Sequence, residues 1–152
     1  MLNSVTDPEI PVLTIADLGI LRDIEQDGDT IIVTVTPTYV GCPAVDTIAD
    51  DIRAALNGAG YDAVEVRTRL APTWTTDWLS EEGRRKLTEY GIAPPESASR
   101  DKRALMGESR IIACPRCKST QTSLVSEFGS TACKALYRCE DCLEPFDYFK
   151  CL

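Results

Sequence analysis

Histidine is absent from this 152-residue chain. That removes the commonest general base and the commonest metal ligand, so Ser–His–Asp and Cys–His catalysis are excluded and any metal must be held by Cys or carboxylate. Long apolar runs are also missing. No stretch approaches the roughly 18 apolar residues of a membrane-crossing helix. The start, MLNSVTDPEIPV, has neither a basic n-region nor an apolar h-region, so it does not read as a secretory signal and the expected location is cytoplasmic. Positive charge is scarce, at 16 Lys and Arg against 24 Asp and Glu, a net charge of -8. Residues 1–100 carry 8 basic and 17 acidic side chains, and residues 101–152 carry 8 and 7. Neither part supplies the concentrated basic face that a phosphate backbone requires, so nucleic acid is not an expected partner. There is no Gly-rich phosphate loop and no dinucleotide fingerprint. A non-catalytic role is therefore expected over autonomous catalysis.

What the chain does have is seven cysteines. In a chain without an export signal, an odd number reads as metal ligands and free thiols rather than a disulfide framework. Cys114, Cys117, Cys139 and Cys142 form CxxC, 21 residues, CxxC. Each pair lets one tight turn aim two sulfurs at one ion, and two such turns close a tetrahedron. The residues between can run out and back as strands, which is a ribbon. So short a module buries too little surface to fold alone, so the metal supplies part of its folding energy. Four thiolates leave no open coordination position, which points to structural Zn2+. Iron accepts the same donors, so a rubredoxin-like electron carrier stays open. Cys133 and Cys151 read either as inert thiols or as groups for transient metal holding.

The hydrophobic share of 43% predicts a packed core. Residues 3–16, with Pro8 in a first turn, read as a short helix and a turn. Gly19–Glu25 and Thr30–Thr36 flank Asp27-Gly28-Asp29, a strong hairpin signal. Apolar positions at Val45, Ile48, Ala49, Ile52, Ala55 and Leu56 have helical spacing over 43–58, and Asn57-Gly58 supplies the stop. Residues 62–70 alternate as a strand. Ser80 caps a helix running to Tyr90, and Gly91 closes it. The expected fold class is α+β: helices on a short mixed sheet over 1–92, a polar linker over 93–109, and an all-β four-cysteine ribbon over 110–152.

Cys42 precedes Pro43 at the mouth of the 43–58 helix. The unpaired N–H groups there are expected to acidify its thiol. Without a histidine to act as base, metal or cluster binding suits it better than nucleophilic catalysis. The bland alternative is a small apolar residue packed under the hairpin. Asp7, Glu9 and Asp17 read as caps or as hard ligands near Cys42. Asp46, Asp50 and Asp51 read as the solvated face of the helix. Trp74 and Trp78 read as packing residues or as a docking surface. Arg84, Arg85 and Lys86 read as a solvated helix face or as a docking site for an acidic partner.

Asp7-Pro8-Glu9, Asp17-Leu18-Gly19 and the TVTPTYVGCP run with its helix resemble the SufT-like domain of iron–sulfur cluster assembly factors. The segments PTWTTDWLSEEGRRKL, YGIAPP, CPRC, FGSTACKALYRCEDC and EPFDYFKC resemble the PaaD (also PaaJ) family of phenylacetate degradation. The resemblance covers essentially the whole chain. It implies an accessory role beside the multicomponent phenylacetyl-CoA epoxidase, which converts the aromatic ring to a ring-1,2-epoxide. The implied task is maturation of an iron–sulfur cluster or of a di-iron centre. It carries the reactive, cargo-holding cysteine over to Cys42, with transient iron or an iron–sulfur cluster as the cargo. It carries the Zn2+ ligands over to Cys114, Cys117, Cys139 and Cys142. Asp7, Asp17 and Cys133 are accessory candidates. The implied partners are subunits of the epoxidase or its reductase, with no membrane or nucleic acid, and a homodimer stays open. A structural or electron-transfer subunit of the epoxidase is the alternative.

Overall fold

The computed structural model describes residues 1–95 and 111–150, so Cys151 and most of the expected linker lie outside the described residues. The chain divides into two compact units, Met1–Gly83 and Arg84–Leu152. Among the described residues no helix is long and apolar enough to cross a membrane.

In the first unit, strands β1 (Leu21–Asp27) and β2 (Thr30–Val35) form the expected hairpin. Asp27 pairs with Thr30 across a two-residue turn, and Gly28 takes a φ of +57° there, which glycine adopts without strain. After β2 the chain crosses over through helix α1 (Ala44–Asn57) and returns as β3 (Ala63–Thr68), parallel to β2. The strand order is β1-β2-β3. Helix α1 packs against β3 and buries Ala44, Ile48, Ile52 and Leu56, a stripe at four-residue spacing. Each large member of that stripe is worth about 1.5–3 kcal/mol when fully buried. Asp46, Asp50 and Asp51 are exposed on the opposite face, as the sequence suggested.

The short helix expected to begin at Pro8 does not form. A 3-10 turn over Leu2–Ser4 is followed by an antiparallel bridge between Thr6 and Thr14, with the Pro8–Pro11 stretch as the bend between them. Long-range pairing overrides the local helix signal here, and two prolines in four residues could not continue a helix. The bend tucks Ile10, Leu13 and Ile15 into the core.

Trp74 is buried, and its indole N–H donates to the Leu18 carbonyl at 2.8 Å. Trp78 lies under the Arg22 guanidinium, 3.6 Å from the ring centroid. Both tryptophans are therefore used in packing within this unit. Gly19, at φ +66°, passes so close to Trp78 that a Cβ would sit 2.5 Å from the Trp78 carbonyl oxygen. Helix α2 (Glu81–Tyr90) starts as expected: the Ser80 hydroxyl accepts the Gly83 N–H at 2.9 Å, and Gly91 ends the helix at φ +92°.

The second unit holds an antiparallel meander of β5 (Thr122–Ser126), β6 (Lys134–Cys139) and β7 (Pro145–Phe149). A two-residue strand, β4 (Ile92–Ala93), adds in parallel to β7, giving the order β4-β7-β6-β5. Its core is Ala93, Ile112, Cys114, Ala135, Tyr137, Cys139, Phe146 and Tyr148. Tyr137 stacks on Phe146 at 6.0 Å and meets Tyr148 edge-on at 5.7 Å. Two of these eight residues are cysteines of the knuckles, so the apolar core and the sulfur cluster are continuous.

Candidate metal and thiol sites

The two CxxC turns of the ribbon adopt matching conformations. The Cys114 N–H donates to the Ser119 carbonyl at 2.9 Å, and the Cys139 N–H donates to the Glu144 carbonyl at 3.0 Å. The residue after the second cysteine of each turn, Lys118 and Leu143, has φ +66° and +63°. A residue with a Cβ in that region is disfavoured by about 1–2 kcal/mol, and each knuckle accepts the cost to turn its amides toward its sulfurs. Links between the turns hold them face to face. Arg116 pairs with Glu144 at 2.6 Å, the Ser119 hydroxyl donates to Asp141, and the Glu140 N–H donates to the Gln121 carbonyl at 2.8 Å.

The four sulfurs converge, all within 4.8 Å of one another. Cys114 and Cys142 are 3.8 Å apart, and Cys117 and Cys139 are 3.5 Å apart. A regular tetrahedron with Zn–S bonds of about 2.3 Å has S···S edges of about 3.8 Å, so the cage fits a tetrahedral ion. Its electrostatics also require one. The Cys139 thiol is pulled down to about 7, chiefly by the Cys142 N–H, aided by the Asp141 N–H. The Cys142 thiol is pushed up to about 12. The Glu144 N–H favours its thiolate, but burial and the hydrogen bonds shared with Cys139, Cys117 and Cys114 outweigh that effect. Cys117 is raised as well, the help of the Ser119 N–H being overcome by the Cys139 thiol and burial. Four thiolates this close need a cation to ionise together.

Cys133 is not part of this group. It lies six residues before Cys139, in the turn just ahead of β6, about 20 Å away along an extended chain, buried, with its sulfur 3.0 Å from the Thr131 hydroxyl.

In the first unit, Cys42 is half-buried in the turn before α1. Pro43, with helical φ and ψ, caps the helix without a side-chain bond. The helix entrance does act on the sulfur: the Ala44 N–H and the Tyr39 side chain both hydrogen-bond it and favour the thiolate. The expected acidification is nevertheless reversed. Burial pushes the Cys42 thiol above its usual value, and the nearby Glu9 and Asp7 carboxylates add to the rise. Desolvation of a half-covered anion outweighs two donors.

Asp7 accepts the N–H groups of Glu9 and Ile10 at 2.7 and 2.9 Å and so shapes the bend. Asp17 accepts the N–H and hydroxyl of Thr14 at 3.0 and 2.9 Å and the Ser80 hydroxyl at 3.3 Å. Both expected aspartates are thus caps, and Asp7 also faces Cys42 electrostatically. Among the described residues, neither joins Cys42 in a group close enough to hold an ion. The sequence reading missed Tyr39, Lys118 and Leu143. The repeated position after each CxxC could have pointed to the last two.

Comparison with known proteins follows the same division. Residues 1–67 match the family model described as an iron–sulfur cluster assembly protein, and residues 98–150 match the PaaD zinc beta ribbon domain. A protein of Escherichia coli (strain K12) whose name makes it one of the subunits of 1,2-phenylacetyl-CoA epoxidase is 52% identical over all of this chain and 90% of its own length. An Fe-S protein maturation auxiliary factor of Porphyromonas gingivalis is 37% identical over 57% of this chain and 84% of its own. The crystal structure of a domain of unknown function, DUF59, from Bacillus anthracis superimposes with a TM-score of 0.52. It is 28% identical and covers 57% of this chain and 83% of that one. An α+β assembly-type domain carrying a four-cysteine β-ribbon is the class that fold and sites define. The chain belongs to the PaaD family.

Proposed function

We propose that this protein is a cytoplasmic accessory factor of phenylacetate catabolism, required for maturation of the multicomponent phenylacetyl-CoA ring-1,2-epoxidase. Cys42 is its exchangeable ligand for iron or an iron–sulfur cluster. The observation that carries this reading is the half-buried Cys42 thiol, held by two donors within the stretch that matches an iron–sulfur cluster assembly protein. A half-covered sulfur that stays protonated when empty suits a ligand that must accept cargo and then release it. The Glu9 and Asp7 carboxylates nearby favour an arriving cation.

In the ribbon, Cys114, Cys117, Cys139 and Cys142 would hold Zn2+, which when bound supplies fixed charge and cross-linking to a small core. The partners are then the epoxidase or reductase subunits that carry the metal centres. The naming of the Escherichia coli relative as an epoxidase component supports a second reading, a structural or electron-transfer component of the same complex, in which the ribbon could hold iron.

The test is to express the epoxidase components with this protein, with Cys42→Ser, and without either, then to measure iron and acid-labile sulfide in the purified components. Under the accessory reading the last two samples lack metal, and the first stays active once this protein is removed. Full loading beside Cys42→Ser would end that reading. Loss of activity on removing this protein from already loaded enzyme would favour the subunit reading. Stoichiometric iron with a visible absorption band in the purified ribbon would do the same.

A further inference from the structure

The two knuckles share one backbone conformation but treat their left-handed residue differently. At the first, the Lys118 ammonium reaches back to the Pro115 carbonyl at 2.8 Å and locks the turn. At the second, the equivalent residue is Leu143, with φ +63° and 59% of its surface exposed. An exposed leucine alone is ordinary. An exposed leucine where glycine would sit without strain, gaining neither burial nor a hydrogen bond in return, is an outlier of the kind found at functional positions.

Its surroundings carry a sign. Glu144 is neutralised by Arg116. Glu140 and Asp141 are exposed and accept the hydroxyls of Ser123 and Ser119, neutral donors, and among the described residues no cation pairs with either carboxylate. The second knuckle therefore presents an apolar knob flanked by two negative charges.

We propose that Leu143 is the anchor by which the second zinc knuckle docks into an apolar socket, rimmed by Lys or Arg, on a protein partner. This rests on the accessory reading, in which the partner is one of the epoxidase components. A knob of this kind contributes binding by filling a desolvated pocket, and the flanking carboxylates set orientation and approach rate.

The test uses the full-length, zinc-loaded chain and the purified epoxidase components, with affinity read by calorimetry. Leu143→Gly and Leu143→Asn both tolerate the left-handed backbone. Each should weaken binding about tenfold or more, while Tm stays level or rises and zinc remains at one per chain. Leu143→Met keeps the knob and should bind as the wild type does. Glu140→Gln with Asp141→Asn should weaken binding and flatten its salt dependence. Wild-type affinity in both Leu143→Gly and Leu143→Asn would overturn the anchor and leave the accessory reading standing. A loss of binding that tracks a loss of zinc would assign Leu143 to the ribbon fold and also overturn it. A wild-type chain that binds no component would overturn both readings. Unchanged salt dependence in the carboxylate variant would remove the basic rim.

Discussion

The thiol of Cys42 is pulled in two directions. Burial, then the Glu9 and Asp7 carboxylates, favour the protonated form; the Ala44 N–H and the Tyr39 side chain favour the thiolate, and protonation wins. Iodoacetamide should therefore alkylate Cys42 more slowly at pH 8 than it alkylates a free thiol. Glu9→Gln should speed the reaction roughly twofold or more, and Tyr39→Phe should slow it similarly, since rate follows the thiolate fraction. Rates unmoved by either substitution would discard this account of the site. The same shift fixes a stability slope. The unfolded thiol ionises near 9.0 and the folded one above it, so between those values the folded state holds more protons and stability falls as pH rises. Urea titrations at pH 8 and pH 10 should show that fall, reduced in Cys42→Ser. The sequence revealed the helix entrance beside Cys42 and therefore the donors. It left the desolvation and the approach of residues 7 and 9 as open alternatives, because those residues lie over 30 positions away and reach the sulfur only through tertiary folding.

Secondary elements with a local cause were legible. The hairpin announced itself through Gly28 and the β-branched run of β2, α1 through its four-residue stripe, and α2 through the Ser80 cap. Elements with a distant cause were not. The Thr6–Thr14 bridge replaced a helix that local signals supported, and β4 is two residues long, too short to show any period. The join between β1 and the segment before it depends on Gly19. Adding a Cβ there meets a left-handed φ and the Trp78 backbone together, and backbone cannot step aside as a flexible side chain would. Gly19→Ala should cost about 2–4 kcal/mol in urea unfolding. Gly28→Ala shares the positive φ but has open space around it, so it should cost about 1–2 kcal/mol. Equal losses at the two positions would mean that the Trp78 contact contributes nothing.

Met1–Gly83 buries its own apolar stripe under α1, whereas the second unit surrounds a sulfur cage with only a handful of large apolar side chains. The CxxC spacing made the cage readable in advance, because two tight turns leave little freedom in where their sulfurs point. The spacing did not show that the sheet recruits β4 from ahead of the expected ribbon. Stability should accordingly be unequal. A strong chelator at neutral pH removes the charge that lets four thiolates coexist, and a module this small has little else to hold it. Hydrogen exchange after chelation should show β5, β6 and β7 losing protection while β1, β2 and β3 keep theirs. Ile92 and Ala93 are the informative amides. They precede the expected ribbon in the chain but pair with Asp147 and Tyr148, so they should lose protection with the metal and regain it on adding Zn2+. If those two amides stay protected while β7 opens, the β4–β7 pairing does not hold β4 in the ribbon sheet.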